Sequence, residues 1–140
     1  MTLEQAFFIQ ALAAYIQGKS DIRVPGGWEG LDWSQLLRYA KTQNLAGIFY
    51  VQCRDKLSQI PSLQSTLTEL QSGFVAEAVH SIALQRDFAQ LEQHLTEAEI
   101  SFLPFKGSVL SQYYPTPQLR TMGDIDFLIH GSDRLRCHQQ

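Results

Sequence analysis

The sequence predicts an α+β protein, with an N-terminal helical lobe followed by a small, incomplete sheet. Three observations predict it. Apolar residues recur at three- and four-residue steps through roughly the first hundred positions. Two short strand-like runs follow, at 100–105 and 124–129. The composition, 44% hydrophobic and 18% charged over 140 residues, is that of a globular chain long enough to bury a core. The expected division is a helical lobe over 1–99 and a sheet-bearing segment over 100–140.

Each element has a local cause. Thr2 followed by Gln5 has the form of a capping box and opens a helix over 2–17. Leu3, Phe7, Ile9, Tyr15 and Ile16 supply its apolar content, and Gly18 is a plausible stop. A turn-rich link carries Pro25, Gly26, Gly27 and Gly30. Asp32 caps a second helix, 33–43, with Trp33, Leu36, Leu37 and Ala40 on one face. Trp28 and Trp33 should pack this lobe. A third helix is expected over 45–58. Pro61 opens the longest pattern, 62–98, with a stripe that includes Leu63, Leu70, Phe74, Ile82 and Leu95. Gly73 is a point where that helix could bend or split.

After Glu99 the character changes. Ile100 to Phe105 reads as a strand, with Pro104 marking it as an edge. Val109 to Tyr114 reads as a short helix that ends at Pro115. Asp124 to Ile129 reads as a second strand, and a further helix is expected from 132.

Charge and cysteine content narrow the function classes. The net charge of −3 lacks the basic footprint of an extended nucleic-acid binder. Residues 61–100 hold six acids and one base, so the long helix is acidic. Cys53 and Cys137 lie too far apart for a metal pair and predict two reduced thiols. No apolar run reaches the ~18 residues of a membrane span, and the N-terminus lacks a secretory pattern. The expectation is a soluble, cytoplasmic protein that does not engage membranes.

The chemistry gathers near the C-terminal end. In a strand, Asp124 and Asp126 project to one side, while Ile125, Phe127 and Ile129 point to the other. Two adjacent carboxylates make a hard-oxygen clasp of the kind that holds Mg²⁺ or Mn²⁺ together with phosphate oxygens. Upstream, Phe105-Lys106-Gly107-Ser108 sits where a strand hands over to a helix. Gly107 permits a tight turn, Ser108 can cap the helix, and Lys106 offers a point charge for phosphate. Arg120, four residues before Asp124, could steady the acids or reach a triphosphate. His80, His94, His130 and His138 show no metal-ligand spacing.

This order resembles the nucleotidyltransferase superfamily of the DNA polymerase beta type. More narrowly, Leu103 to Ile129 is similar to an uncharacterised bacterial nucleotidyltransferase family. Its signature runs Leu-Lys-Gly, then Tyr-Pro-x-Pro-x-x-Arg, then Asp-Ile-Asp-Leu-Leu-Val. The corresponding residues here are Phe105-Lys106-Gly107, Tyr114 to Arg120, and Asp124 to Ile129. The resemblance implies a nucleotidyltransferase-like core that binds a nucleoside triphosphate (NTP) and divalent metal. Asp124 and Asp126 would ligate the metals and act in catalysis. Gly107 and Ser108 would hold the β- and γ-phosphates, with Lys106 and Arg120 as further nucleotide contacts. The reaction would transfer a nucleoside monophosphate to an unknown acceptor.

Two departures qualify that expectation. The gap from Ser108 to Asp124 is longer than in many superfamily members. The superfamily also uses a third carboxylate on a later strand, whereas Asp133 is the only acid after Asp126. Transferase activity is therefore expected of a full-length form. The alternative is a non-catalytic helical interaction module, or a truncated remnant of the fold. An unpaired sheet edge or the long helix would then favour homo-oligomers.

Overall fold

The structure, a computed structural model, describes residues 1–137; for Ser108, Leu135 and Arg136 it describes the backbone only. The chain forms six helices and two short strands among these residues. Its backbone contacts divide it into two compact units, Met1–Ala78 and a second from Val79 onward. The division falls inside the longest helix.

The first unit is helical. Helix α1 spans Leu3–Ile16, and its N-terminus is closed by the expected capping box between Thr2 and Gln5. Helix α2 spans Trp33–Thr42, with the Asp32 carboxylate accepting from the Gln35 N–H at 3.0 Å. Helix α3 spans Ala46–Leu57. The core joins these helices around an aromatic cluster. Phe7 meets Trp28 at 5.2 Å and Phe49 at 5.9 Å, both edge-on, and Trp28 stacks on Trp33. The Trp33 indole N–H donates to the Trp28 carbonyl at 2.8 Å. Each such ring pair adds about 1 kcal/mol beyond its burial. Cys53 lies in this core, where burial pushes its thiol pKa up and keeps the sulfur unreactive.

Helix α4 spans Gln64–Glu97 without interruption. Gly73 does not split the pattern into two helices. A Cβ there would lie 2.8 Å from the Ala46 Cβ, so glycine permits close packing of α4 on the start of α3. The apolar faces differ in part from the sequence expectation. In α1 the buried set is Phe7, Phe8, Ala11, Ala14 and Tyr15, whereas Leu3, Ile9 and Ile16 are exposed. In α4 Ile82 is exposed alongside Val75 and Val79. Periodicity marks a helix, but neighbouring apolar stripes compete for the core and only contacts decide between them.

In the second unit, strand β1 (Phe102–Pro104) pairs antiparallel with β2 (Phe127–Ile129). The register sets Phe102 opposite Ile129, Leu103 opposite Leu128, and Pro104 opposite Phe127. Both strands are shorter than the sequence predicts. Between them lie helix α5 (Gly107–Leu110) and two 3-10 turns, Ser111–Tyr113 and Pro117–Leu119. Leu95, Ile100 and Leu119 are buried in this unit. Helix α6 is described over Arg134–Cys137; the rest of the expected helix, residues 138–140, lies outside the described residues. No described helix is long and apolar enough to cross a membrane.

Glu77 shows how the helical unit is tied together. Helix α3 has Leu45 at its N-cap position, which offers no side-chain cap. Glu77 Oε2, thirty residues away, accepts from the Gly47 N–H at 2.9 Å. Burial pushes the Glu77 carboxyl pKa above the ordinary glutamate range, against the opposing pull of the Gly47 and Ala46 amides. In that window the folded chain retains a proton that the unfolded chain has released. Stability contributed by this group therefore falls as pH rises through it. Glu77→Gln keeps an acceptor and removes the charge, so this component of the pH slope should vanish. Glu77→Ala strands the Gly47 N–H and should cost about 1 kcal/mol. Urea unfolding from about pH 4 to about pH 8 checks both; a Gln variant with the wild-type slope would refute the role of Glu77.

Candidate functional site

The site starts from the short sheet. One hydrogen bond continues the strand pairing past Pro104: the Phe105 N–H donates to the Asp126 carbonyl at 3.1 Å. Phe105 thereby stands opposite Asp126. The Asp-x-Asp segment thus leads into β2, which begins at Phe127, rather than forming part of it. Asp124 is exposed and Asp126 is half-buried.

The chain turns sharply after Phe105. Lys106 takes φ +56° and ψ −116°, a region that disfavours any residue with a Cβ. Helix α5 then starts at Gly107, two residues earlier than the sequence predicts. Lys106 holds the cap position and no side chain caps the helix, so Ser108 is not its N-cap. The Ser108 side chain lies outside the described residues. Four residues make too short a helix to form an anion site through its amides alone.

The turn aims Lys106 at the acids. Its Nζ lies 3.3 Å from Asp126 Oδ2 and 5.2 Å from the centre of the Phe105 ring. Lys106 and Asp126 are twenty positions apart, and the strand register brings them together. The lysine is 64% exposed and the aspartate 29%, so water screens the pair and its net contribution is below about 1 kcal/mol. Such a contact is easily exchanged for another anion.

The packing of Gly107 explains the glycine. A Cβ there would lie 2.8 Å from Met122 Sδ and 3.0 Å from its Cγ. The Met122 side chain therefore lies against the start of α5. The Met122 carbonyl is itself held from α4, because His80 Nε2 donates to it at 3.0 Å. The sequence offers no signal for this bond, since His80 precedes Met122 by 42 positions and matches no motif.

Of the two expectations for Arg120, a contact with the acids is not among its described interactions. Its guanidinium sits 5.9 Å from the centre of the Tyr114 ring and donates to the Thr121 carbonyl at 3.2 Å. Among its described contacts neither Asp124 nor Asp126 appears. The Tyr-Pro-x-Pro-x-x-Arg stretch is a self-supported loop: Pro117 opens a 3-10 turn, Leu119 anchors it in the interior, and Tyr114 supports the arginine.

The acids themselves define what the site could hold. Among the described residues no three His, Cys, Asp or Glu side chains gather as a metal cage. Asp126 is engaged by Lys106, and Asp124, two positions earlier, is exposed to solvent. By residue type alone the two match Mg²⁺ or Mn²⁺, which take one or two carboxylates and complete their shell with water and substrate phosphates.

Fold and site together define an α+β protein in which a short antiparallel sheet sets a cationic turn beside an Asp-x-Asp acid. The family model described as uncharacterised nucleotidyltransferase matches residues 29–140, and the chain belongs to that family. No curated protein and no solved structure matches it.

Strain and charge make opposite predictions at Lys106. A non-glycine residue in this backbone region costs about 1–3 kcal/mol, more than the exposed ion pair returns. Lys106→Gly should therefore raise the thermal midpoint, by about 3 °C. Lys106→Met keeps the strain, loses the ion pair and should lower it slightly. Thermal denaturation decides; a clear fall for Lys106→Gly would show that the ion pair outweighs the strain.

Proposed function

We propose that the chain binds an NTP and a divalent metal, and that in its full-length form it transfers a nucleoside monophosphate to an acceptor. The observation that carries this reading is the Lys106–Asp126 contact at 3.3 Å. It joins the cation of one signature segment to the acid of another, within a chain of the nucleotidyltransferase family. We also take the helical lobe as 1–99 and the transferase-like core as 100–140.

Each residue then has a task. Asp124 and Asp126 would hold Mg²⁺ or Mn²⁺, which neutralises charge on the phosphates and lowers the pKa of an attacking hydroxyl. Lys106 would supply a point charge to the phosphates, leaving Asp126 available as a ligand. Gly107 lets the backbone approach them closely, with Ser108 beside it. Arg120 would add a further cation for the triphosphate. The acceptor oxygen attacks the α-phosphorus in line, the α–β bridging P–O bond breaks, pyrophosphate leaves, and the hydroxyl proton passes to solvent. Catalysis by this scheme requires a third carboxylate beyond Asp124 and Asp126. The acceptor would be a small molecule or protein, since the net charge of −3 does not favour long polyanions.

A second reading, self-association through the sheet, is favoured by one observation. Leu103 and Leu128 face each other across the strands and are 62% and 57% exposed. A two-stranded sheet is marginal alone and would gain from a neighbour.

Calorimetric titration with a non-hydrolysable NTP and Mg²⁺ tests the main reading. The wild type should bind, and Asp124→Asn/Asp126→Asn should lose binding by at least about ten-fold while staying folded. A folded wild type that does not bind would overturn it. Sedimentation of the same samples over a concentration series tests the second reading, which predicts dimers that Leu103→Lys disrupts; monomer throughout removes it.

A further inference from the structure

We propose that His80 is a positioning residue for the Asp-x-Asp loop, acting through Met122. The inference rests on the nucleotidyltransferase reading for its functional meaning and on geometry for its mechanical part. Met122 is the point where two supports meet. Its carbonyl accepts from His80 Nε2 at 3.0 Å, and its side chain lies against Gly107 at the start of α5. Asp124 follows two residues later. On the other side of the turn, Lys106 reaches Asp126 and Phe105 holds the Asp126 carbonyl. The segment Met122–Asp126 is therefore fixed at one end by His80 and at the other by β1.

The chemistry of the contact fixes the ring's role. A carbonyl only accepts, so Nε2 must carry the hydrogen. Both the neutral Nε2–H tautomer and the imidazolium satisfy this, so the tether needs no charge on the ring. His80 is exposed and lies on a long helix, so its loss leaves the core intact. Met122 and Gly123 precede the acids in irregular backbone, where each hydrogen bond weighs in how often the segment opens. Removing it should open the segment about five-fold more often. Asp124 would then spend more time away from the geometry in which it and Asp126 act as one clasp, and metal-nucleotide affinity should drop by a similar factor.

The test uses the full chain and three variants: His80→Leu, His80→Gln and Ser81→Ala. Gln restores an N–H donor at comparable reach. Ser81, on the adjacent helical position, buries a hydroxyl with no hydrogen-bond partner among the described residues, and its removal serves as a control. Hydrogen exchange is measured at amides 121–126 in unliganded protein. His80→Leu should exchange about five-fold faster there, with the thermal midpoint held within about 2 °C, while His80→Gln and Ser81→Ala keep wild-type rates. Unchanged exchange in His80→Leu, or failure of His80→Gln to restore it, overturns the proposal. Titration of the same set with Mg²⁺ and a non-hydrolysable NTP forms a separate arm. It should show the matching five-fold loss in His80→Leu and its rescue in His80→Gln. A wild type that ignores nucleotide fells the functional reading, and the exchange result still decides the role of His80.

Discussion

The hydrogen bond from the Phe105 N–H to the Asp126 carbonyl sets the geometry of everything around it. It extends the pairing of β1 and β2 by one step and fixes which residue of the Asp-x-Asp segment faces the Lys-Gly-Ser turn. A shift of one residue would place Ile125 opposite Phe105 and turn the acid to the other face. Three paired residues make a weak ladder, worth about 1 kcal/mol per bond at most. Other contacts must therefore hold the register, and the structure supplies them at both ends: the buried Ile100 before β1 and the Met122–His80 link before β2.

The strained turn follows from the same constraint. Having paired Phe105 with Asp126, the chain has one residue in which to leave the strand and begin α5. That residue is Lys106, with φ +56°, although glycine would suit the backbone better. A lysine kept where the backbone disfavours it points to a use for its charge. The ion pair it makes is too exposed to offset the strain, and the proposed nucleotide site would give the cation a task there. The helical unit is built on the opposite principle, with an aromatic core around Phe7, Trp33 and Phe49 and a borrowed carboxylate, Glu77, at the start of α3.

What the sequence disclosed and what it withheld divide along a physical line. Local chemistry was legible. The Thr2–Gln5 capping box, the Asp32 cap and the helical run through 64–97 follow from residues within a few positions of one another. The motif order pointed to the stretch in which Lys106 meets Asp126. Contacts between distant positions were not. Neither Glu77 on Gly47 nor His80 on Met122 leaves a trace in spacing, because each joins segments thirty or more residues apart. Burial within helices was half legible: Leu36, Leu70 and Leu95 are buried as their pattern predicts, whereas Ile9, Ile16 and Ile82 are not. Strand length was overestimated, since apolar content extends beyond the residues whose backbones pair. Arg120 was expected to steady the acids or to reach a triphosphate; its contacts in the structure are Tyr114 and the Thr121 carbonyl, in a loop that the Pro117 turn closes locally.

The central claim is that the Lys106 turn and the Asp-x-Asp segment form one metal-nucleotide site. Paramagnetic broadening by Mn²⁺, in the presence of a non-hydrolysable NTP, tests it most directly in the amide NMR spectrum of the isotope-labelled chain. The account predicts that the amides of Lys106, Gly107 and 124–127 disappear first and together, at substoichiometric metal. Broadening centred on any other segment, or of Asp124 and Asp126 without Lys106 and Gly107, would contradict it.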